Sequence, residues 1–476
     1  MSKNKDSNKT KNINNLPMFK SKNLQSLEKE RAYLKELKSR PFYKRWTGYA
    51  KLTGPGWLQS AMTLGGASAA SSLFIGATYG YKLLWVQPLA MLLALIMFIT
   101  ASNQTLSTGM KPFDAVSTFI HPAAAWLWAV AALLSTFIWH FPQYALAAGV
   151  IEDILSVTTP YSTPNPIQTP ILVLIGFILL IISAIIVMNY SSGPKGIHRF
   201  ERSLKMLIWL ILISFSIVVL RAAFLNNINW KELISGFIPF NIPTDKRSIT
   251  LIMGAFGSAA GINMTFIFGY SQIARGWTKE HRSLAKFDLV TGMFLPYVIA
   301  TSLMVISAAL TIYSPGNNIT TSISPLLASK MIAAAGMGEF FGRIIFGLGI
   351  LAMTLSTIIM HMLVCGFVIS EIFKFKPYGV GYKFACMIPA PAFIGVITWK
   401  YMGYWVAVPT SAIAGIFLPI AYIYWFILNN KKDFMKEDMP SGIKRILTNS
   451  LMFVAISISL ISISFYLYSN KDFFLL

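Results

Sequence analysis

Apolar runs of about 20 residues, the length at which a helix crosses the hydrocarbon core of a bilayer, recur along the chain between short polar connections. Eleven such runs predict eleven spans, at about 54–78, 83–107, 123–151, 169–188, 204–222, 249–273, 289–313, 342–370, 382–399, 404–427 and 447–468. Only residues 223–248 and the arm 1–50 are long connections, so there is no room for a soluble catalytic domain. The first run is interrupted at its centre by Gly65, Gly66, Ala67 and Ser68. Unwound backbone has no water to bond with in hydrocarbon and persists only where protein or a cavity lines it, so the break is expected to hold a solute between two half-helix ends. The sixth run, GAFGSAAGINMTFIFGYSQ over 254–272, is rich in small residues up to Gly261 and then presents Asn263. Small residues also let membrane helices approach closely, and for the sixth run alone both readings stand. The two runs in register predict two five-span halves of opposite orientation, residues about 51–225 and 245–430, with solute at their interface.

Composition agrees with this all-α polytopic membrane class. Hydrophobic residues make up 55% of the 476 and charged residues 12%, about half the charged share of a soluble protein, and the mean hydropathy is +0.59. The net charge of +22 does not indicate nucleic acid, because its cations fall in alternate loops. Fourteen of the 40 Lys and Arg precede residue 52, and others cluster at 195–205, 275–286, 374–383 and 431–445, whereas 156–168 and 314–325 have none. This is the positive-inside pattern. It places the arm 1–50 in the cytoplasm of a bacterial inner membrane, facing anionic lipid. Residues 431–476 then read as a cytoplasmic loop, an eleventh helix and a short tail. Residues 1–50 hold no apolar core of signal-peptide length. Leu24, Leu27, Leu34 and Leu37 share one face of a helix expected at 24–38, which reads either as a surface helix on the membrane or as part of a solvated tail. Cys365 and Cys386 have neither CxxC nor metal-ligand spacing.

The residues resemble the NRAMP family of divalent-metal transporters, which has the LeuT-like inverted-repeat fold. The likeness begins at Gly54-Pro55-Gly56, is close at Gly80-Tyr81-Lys82-Leu83-Leu84-Trp85-Val86, and continues through Ser107-Thr108-Gly109 and the 275–288 connector. It implies a 5+5 transporter core with about 11 helices and metal cations as substrate. The family's Asp-Pro-Gly-Asn motif, whose Asp and Asn bind metal, falls in ungapped register on Gly65, Gly66, Ala67 and Ser68. Its Met-Pro-His motif falls near Gly261, Ile262 and Asn263, one or two residues from Met264. Its acidic positions in the third span fall on Phe141 and Tyr144. The fold is therefore expected without the family's metal ligands.

A census of the 18 acidic residues gives the same result physically, for none lies at the middle of a span. Asp114, Glu152, Asp153, Asp288, Glu339 and Glu371 are near span ends. A divalent ion normally needs anionic partners to replace its hydration. The expected substrate donors are neutral instead: carbonyls near Thr63 and Leu64, Ser68, Asn263, Thr265, and Met62 or Met264, whose thioethers favour softer metals. Two rival readings remain open. One is a LeuT-like carrier of a small zwitterionic or neutral solute, its carboxylate on the Ala67–Ala69 amides; the other is a non-transporting sensor descended from a carrier.

His140 and His361 lie within spans and are candidates for coupling to a proton or other ion, or for simple helix-to-helix hydrogen bonds. Gln143, after Pro142, is a candidate to face the cavity. Hydroxyls at Thr354, Ser356 and Thr357 either bond the preceding turn or line the cavity, with helix packing the favoured role, and the Asn318–Thr320 sequon is assigned to chance. No polar channel lining, clustered acid–base set or cofactor motif is present. The sequence thus predicts a secondary transporter with no enzymatic activity and no cofactor.

Overall fold

The structure is a computed structural model of the chain, and it describes residues 24–158, 165–190, 194–225, 228–239, 246–314, 325–375, 379–397, 411 and 413–469. The described residues form helices and turns, with no strand among them. Nine of these helices are long and apolar enough to cross a membrane. They coincide with nine of the eleven expected runs. The first run, the two helices Pro55–Thr63 and Gly66–Tyr79, is not among the nine, and the tenth lies partly outside the described residues. What is described of the tenth, Ile413–Asn429, turns by 73° into Lys432–Asp438.

The elements that position the site are α1 (Leu24–Ser39), α2 (Phe42–Ala50), α3 (Pro55–Thr63), α4 (Gly66–Tyr79), α5 (Val86–Thr108), α6 (Pro122–Thr158), α7 (Asn165–Tyr190), α8 (Pro194–Leu225), α9 (Lys246–Ala259), α10 (Ile262–Ala274), α11 (Arg282–Leu289), α12 (Leu295–Thr311), α13 (Phe346–Phe373) and α14 (Gly442–Ser469). Burial sorts them into centre and rim. The apolar stretch over α9 and α10 is 89% buried, whereas that over α14 is 22% buried. On α7, exposed Leu174, Phe177, Ile178, Ile181, Ile182 and Ile185 repeat at helical spacing, an apolar stripe that suits lipid and would be untenable in water. The fold class is therefore an all-α polytopic membrane protein in which the most glycine-rich helices occupy the middle.

The Gly54-Pro55-Gly56 turn has a specific structural task. Pro55 begins α3, where its missing N–H costs nothing. The Asp288 carboxylate of α11 accepts the N–H groups on either side, from Gly54 at 2.9 Å and from Gly56 at 2.6 Å. An acceptor side chain at a helix N-terminus satisfies amides that have no partner within the helix. A side chain at 56 would meet the Asp288 carbonyl oxygen at 2.2 Å, so the approach requires glycine. Around this cap, Arg275 donates to Glu201 at 2.8 Å and to the Thr53 carbonyl at 3.2 Å. Lys205 donates to the same carbonyl at 3.1 Å. These bonds tie the start of α3 to α8, to α11 and to the end of α10.

The arm helix α1 packs on protein through the described part of its apolar face, rather than lying free on lipid. Leu34 and Leu37 are buried in a cluster with Tyr49, Leu106, Trp277 and Leu284. At the other end of the molecule, Asp153 of α6 accepts Arg343 and, at 2.7 Å, Ser329. The Asn318 sequon lies outside the described residues.

Replacing Asp288 with Ala should strand two buried N–H donors and destabilise the detergent-purified protein by about 2–4 kcal/mol, read as a lower thermal midpoint. Asp288→Asn, which keeps one acceptor oxygen, should fall between the two. A midpoint unchanged in Asp288→Ala would contradict the capping role.

Candidate functional site

The two interruptions expected from sequence are built alike. Helix α3 ends at Thr63, Leu64 leaves the helical region (φ −80°, ψ 75°), Gly65 is extended, and α4 starts at Gly66. Helix α9 ends at Ala259, Gly261 is extended, and α10 starts at Ile262. Gly65 and Gly261 thus hold the same position, immediately before the second half-helix. Three residues on, Ser68 Oγ accepts the Gly65 N–H at 3.1 Å, and Met264 Sδ accepts the Gly261 N–H at 3.4 Å. Neither glycine has a positive φ; both are required by close approach. A Cβ at Gly65 would lie 2.6 Å from Thr357 Oγ1, and one at Gly261 would lie 2.3 Å from the Trp139 ring.

Between the breaks is a cavity of about 20 Å³, room for roughly one water molecule or one dehydrated ion. Of the residues singled out in the sequence, Met62, Thr63, Gly65, Ala67 and Ser68 line it from the first break, and Gly261, Asn263 and Met264 from the second. Gln143 and His361 reach the wall from α6 and α13. Gly66 and His140 are not in the wall. Thr265 points elsewhere: its hydroxyl accepts Trp128 Nε1 at 3.0 Å and lines a different cavity.

Much of the polar lining is already engaged. The Ser68 hydroxyl lies 2.8 Å from the Thr63 carbonyl and 2.9 Å from that of Gly65, and donates to this pair. Gln143 reaches across from α6, accepting the Gly66 N–H at 2.8 Å and donating to its own helix at Trp139 O, 3.2 Å. Asn263 donates to Thr136 Oγ1 at 3.2 Å and accepts the Met264 N–H at 2.9 Å. The Ala69 N–H is bonded to Gly65 O at 3.1 Å. Side chains thus replace the missing helical partners at both breaks, which hydrocarbon requires, while the carbonyl ends of α3 and α9 leave partial negative charge at the cavity.

The two histidines, on different spans, are brought together. Their ring centres are 5.5 Å apart, both side chains are buried, and the Tyr144 ring stands edge-on to His140 at 5.3 Å. Neither nitrogen of His140, nor Nδ1 of His361, has a hydrogen-bond partner among the described residues. Sequence reasoning did not foresee Ser258 or Trp139 in the wall. Of the two roles open to Thr357, both are seen: it bonds the Met353 carbonyl at 2.9 Å and lines the cavity opposite Gly65. No group of three or more His, Cys, Asp or Glu able to hold a metal occurs among the described residues.

Helical membrane spans packed around two interrupted central ones define the class, an integral membrane protein of the LeuT-like inverted-repeat fold. The profile of the natural resistance-associated macrophage protein-like (Nramp) family matches residues 56–465, and the chain belongs to that family, whose fold is that of secondary transporters. It is 21% identical over 419 residues to the divalent metal cation transporter MntH of Caldanaerobacter subterraneus, covering 84% of this chain and 89% of that one. It is 22% identical over 397 residues to MntH of Brucella suis, covering 80% and 81%. Among solved structures, the Eremococcus coleocola manganese transporter in complex with an aromatic bis-isothiourea substituted compound superposes with a TM-score of 0.71 at 14% identity, covering 91% of this chain and 90% of that one. MhsT in complex with L-phenylalanine superposes at 0.55 and 15% identity, covering 85% and 98%. At these identities the structural likeness is one of fold.

Gly65→Ala should cost roughly 1–3 kcal/mol by overpacking against Thr357. Thr357→Ala in the same chain should recover part of that loss. Strict additivity of the two changes in a thermal-unfolding double-mutant cycle would contradict the contact.

Proposed function

We propose that this protein is a secondary transporter that carries a metal cation by alternating access, holding it between the breaks at Leu64–Gly65 and Ala260–Gly261 with neutral donors in place of carboxylates. The observation that carries this reading is the cavity itself: two half-helix carbonyl ends, the Asn263 side chain and two thioethers meet around a space of about 20 Å³. That space suits an ion stripped of water. The names of the relatives, divalent metal cation transporters in two bacteria, support the same substrate class.

The zwitterion reading has less support here. Of the Ala67–Ala69 amides that a carboxylate would need, that of Ala69 already donates to Gly65 O, and the adjoining Gly65 and Gly66 amides donate to Ser68 and Gln143. In the proposed arrangement, residues 51–225 and 245–430 are inverted repeats that rock about this site. The arm and the basic loops lie on the cytoplasmic side of a bacterial inner membrane. The Asp288 cap then sits at the cytoplasmic end of α3, where opening would have to loosen it.

Proteoliposomes containing the protein should take up a metal cation, and a membrane-impermeant chelator should abolish the uptake. Asn263→Ala should reduce uptake at least tenfold, because it frees the start of α10 and removes a wall donor. Uptake of amino acids that persists in chelator, with no cation flux, would overturn the proposal.

A further inference from the structure

The wall of the cavity contains an unusual donor set for a cation site in a membrane. It has no carboxylate, but it has the thioethers of Met62 and Met264 and the imidazole of His361. Directly behind His361 stands His140, with a ring separation of 5.5 Å. Three of the four imidazole nitrogens of the pair are buried without a partner, although a buried unpaired polar atom ordinarily costs about 1–3 kcal/mol. Such groups point to a ligand that approaches them.

The identity of that ligand follows from charge and softness together. The electrostatic cost of bringing an ion out of water rises with the square of its charge, so a monovalent ion pays about a quarter of the penalty of a divalent one of equal size. A site of neutral donors returns no ion-pair energy to offset the difference. Thioether sulfur and imidazole nitrogen are soft or borderline ligands that favour ions such as Cu(I) and bind magnesium, calcium and manganese poorly. Two imidazoles on one ion, with metal–nitrogen bonds of ~2.0 Å, place their ring centres roughly 5–6 Å apart, which is the spacing of His140 and His361.

We infer that the cavity selects a soft monovalent cation of the Cu(I) or Ag(I) type, held by Met62, Met264 and His361, with His140 as the adjoining imidazole. This rests on the reading of the cavity as a cation site and narrows it from metal cations in general to one class.

The test is titration of the purified full-length protein with silver nitrate in chloride-free detergent buffer, following the thermal midpoint and the metal retained after desalting. Mg(II), Mn(II) and a pH series without metal run in parallel, and cation uptake into proteoliposomes is measured on the same preparations. Because Cys365 and Cys386 are buried thiols that could also take silver, the titration is repeated with both changed to Ala. The expected result is one silver per chain that raises the midpoint, survives loss of both cysteines, and weakens at least tenfold in Met264→Leu and in Met62→Leu. These two replacements keep apolar bulk and should fold. Loss of silver binding in the cysteine-free protein, or full retention in both methionine variants, would overturn the inference. Uptake of Mn(II) or Mg(II) without silver binding would overturn it while leaving the transport reading intact. Absence of binding or uptake for every cation would overturn both. A midpoint that responds only to pH, and loses that response in His140→Gln, would replace the soft-metal site with a proton site.

Discussion

Everything at the centre of this molecule follows from one constraint: a helix interrupted in hydrocarbon must still satisfy its backbone. Two spans are interrupted, and each is repaired by groups that carry no charge. At the first break Ser68 bridges back to Thr63 and Gly65 while Gln143 takes the Gly66 amide from another span. At the second, Asn263 and Met264 turn back on their own half-helix. Because side chains make these repairs, the two glycines can come close to Thr357 and Trp139 without a loss of hydrogen bonding. Those approaches narrow the cavity between the breaks, which keeps about 20 Å³.

Charge has been moved to the ends of the spans. Asp288 caps α3, Glu201 and Arg275 pair beside it, and Asp153 holds Arg343 at the other end of α6. This division has a physical logic. Carboxylates near the membrane surface can act as caps and clamps at modest cost, whereas a carboxylate at mid-membrane is expensive unless a cation accompanies it. Among the described residues no carboxylate lines the cavity between the two breaks.

Much of the architecture was legible in the residues. Span lengths, the positions of both breaks and the absence of central acids can be read directly, because apolar runs and glycine clusters are local properties of a sequence. Ser68, Asn263, Gln143 and His361 were recognisable as polar groups without a place in lipid. What could not be read was how they pair. That Ser68 is a cap for its own break, that Thr265 turns to Trp128, and that His140 meets His361 are consequences of how spans are packed, and nothing within one segment encodes them. The described part of the arm's leucine face was likewise visible as a pattern, but its partners come from α2, α5 and the region of α11, which only the tertiary fold brings beneath it.

The central claim is that a cation is held between the two breaks by neutral groups. Anomalous diffraction from crystals of the protein soaked in a heavy cation that supports uptake would test it most directly. One principal peak is expected between Gly65 and Gly261, within bonding distance of donors in the cavity wall. A peak confined to the carboxylates at the span ends, with the cavity filled by an organic solute, would contradict it.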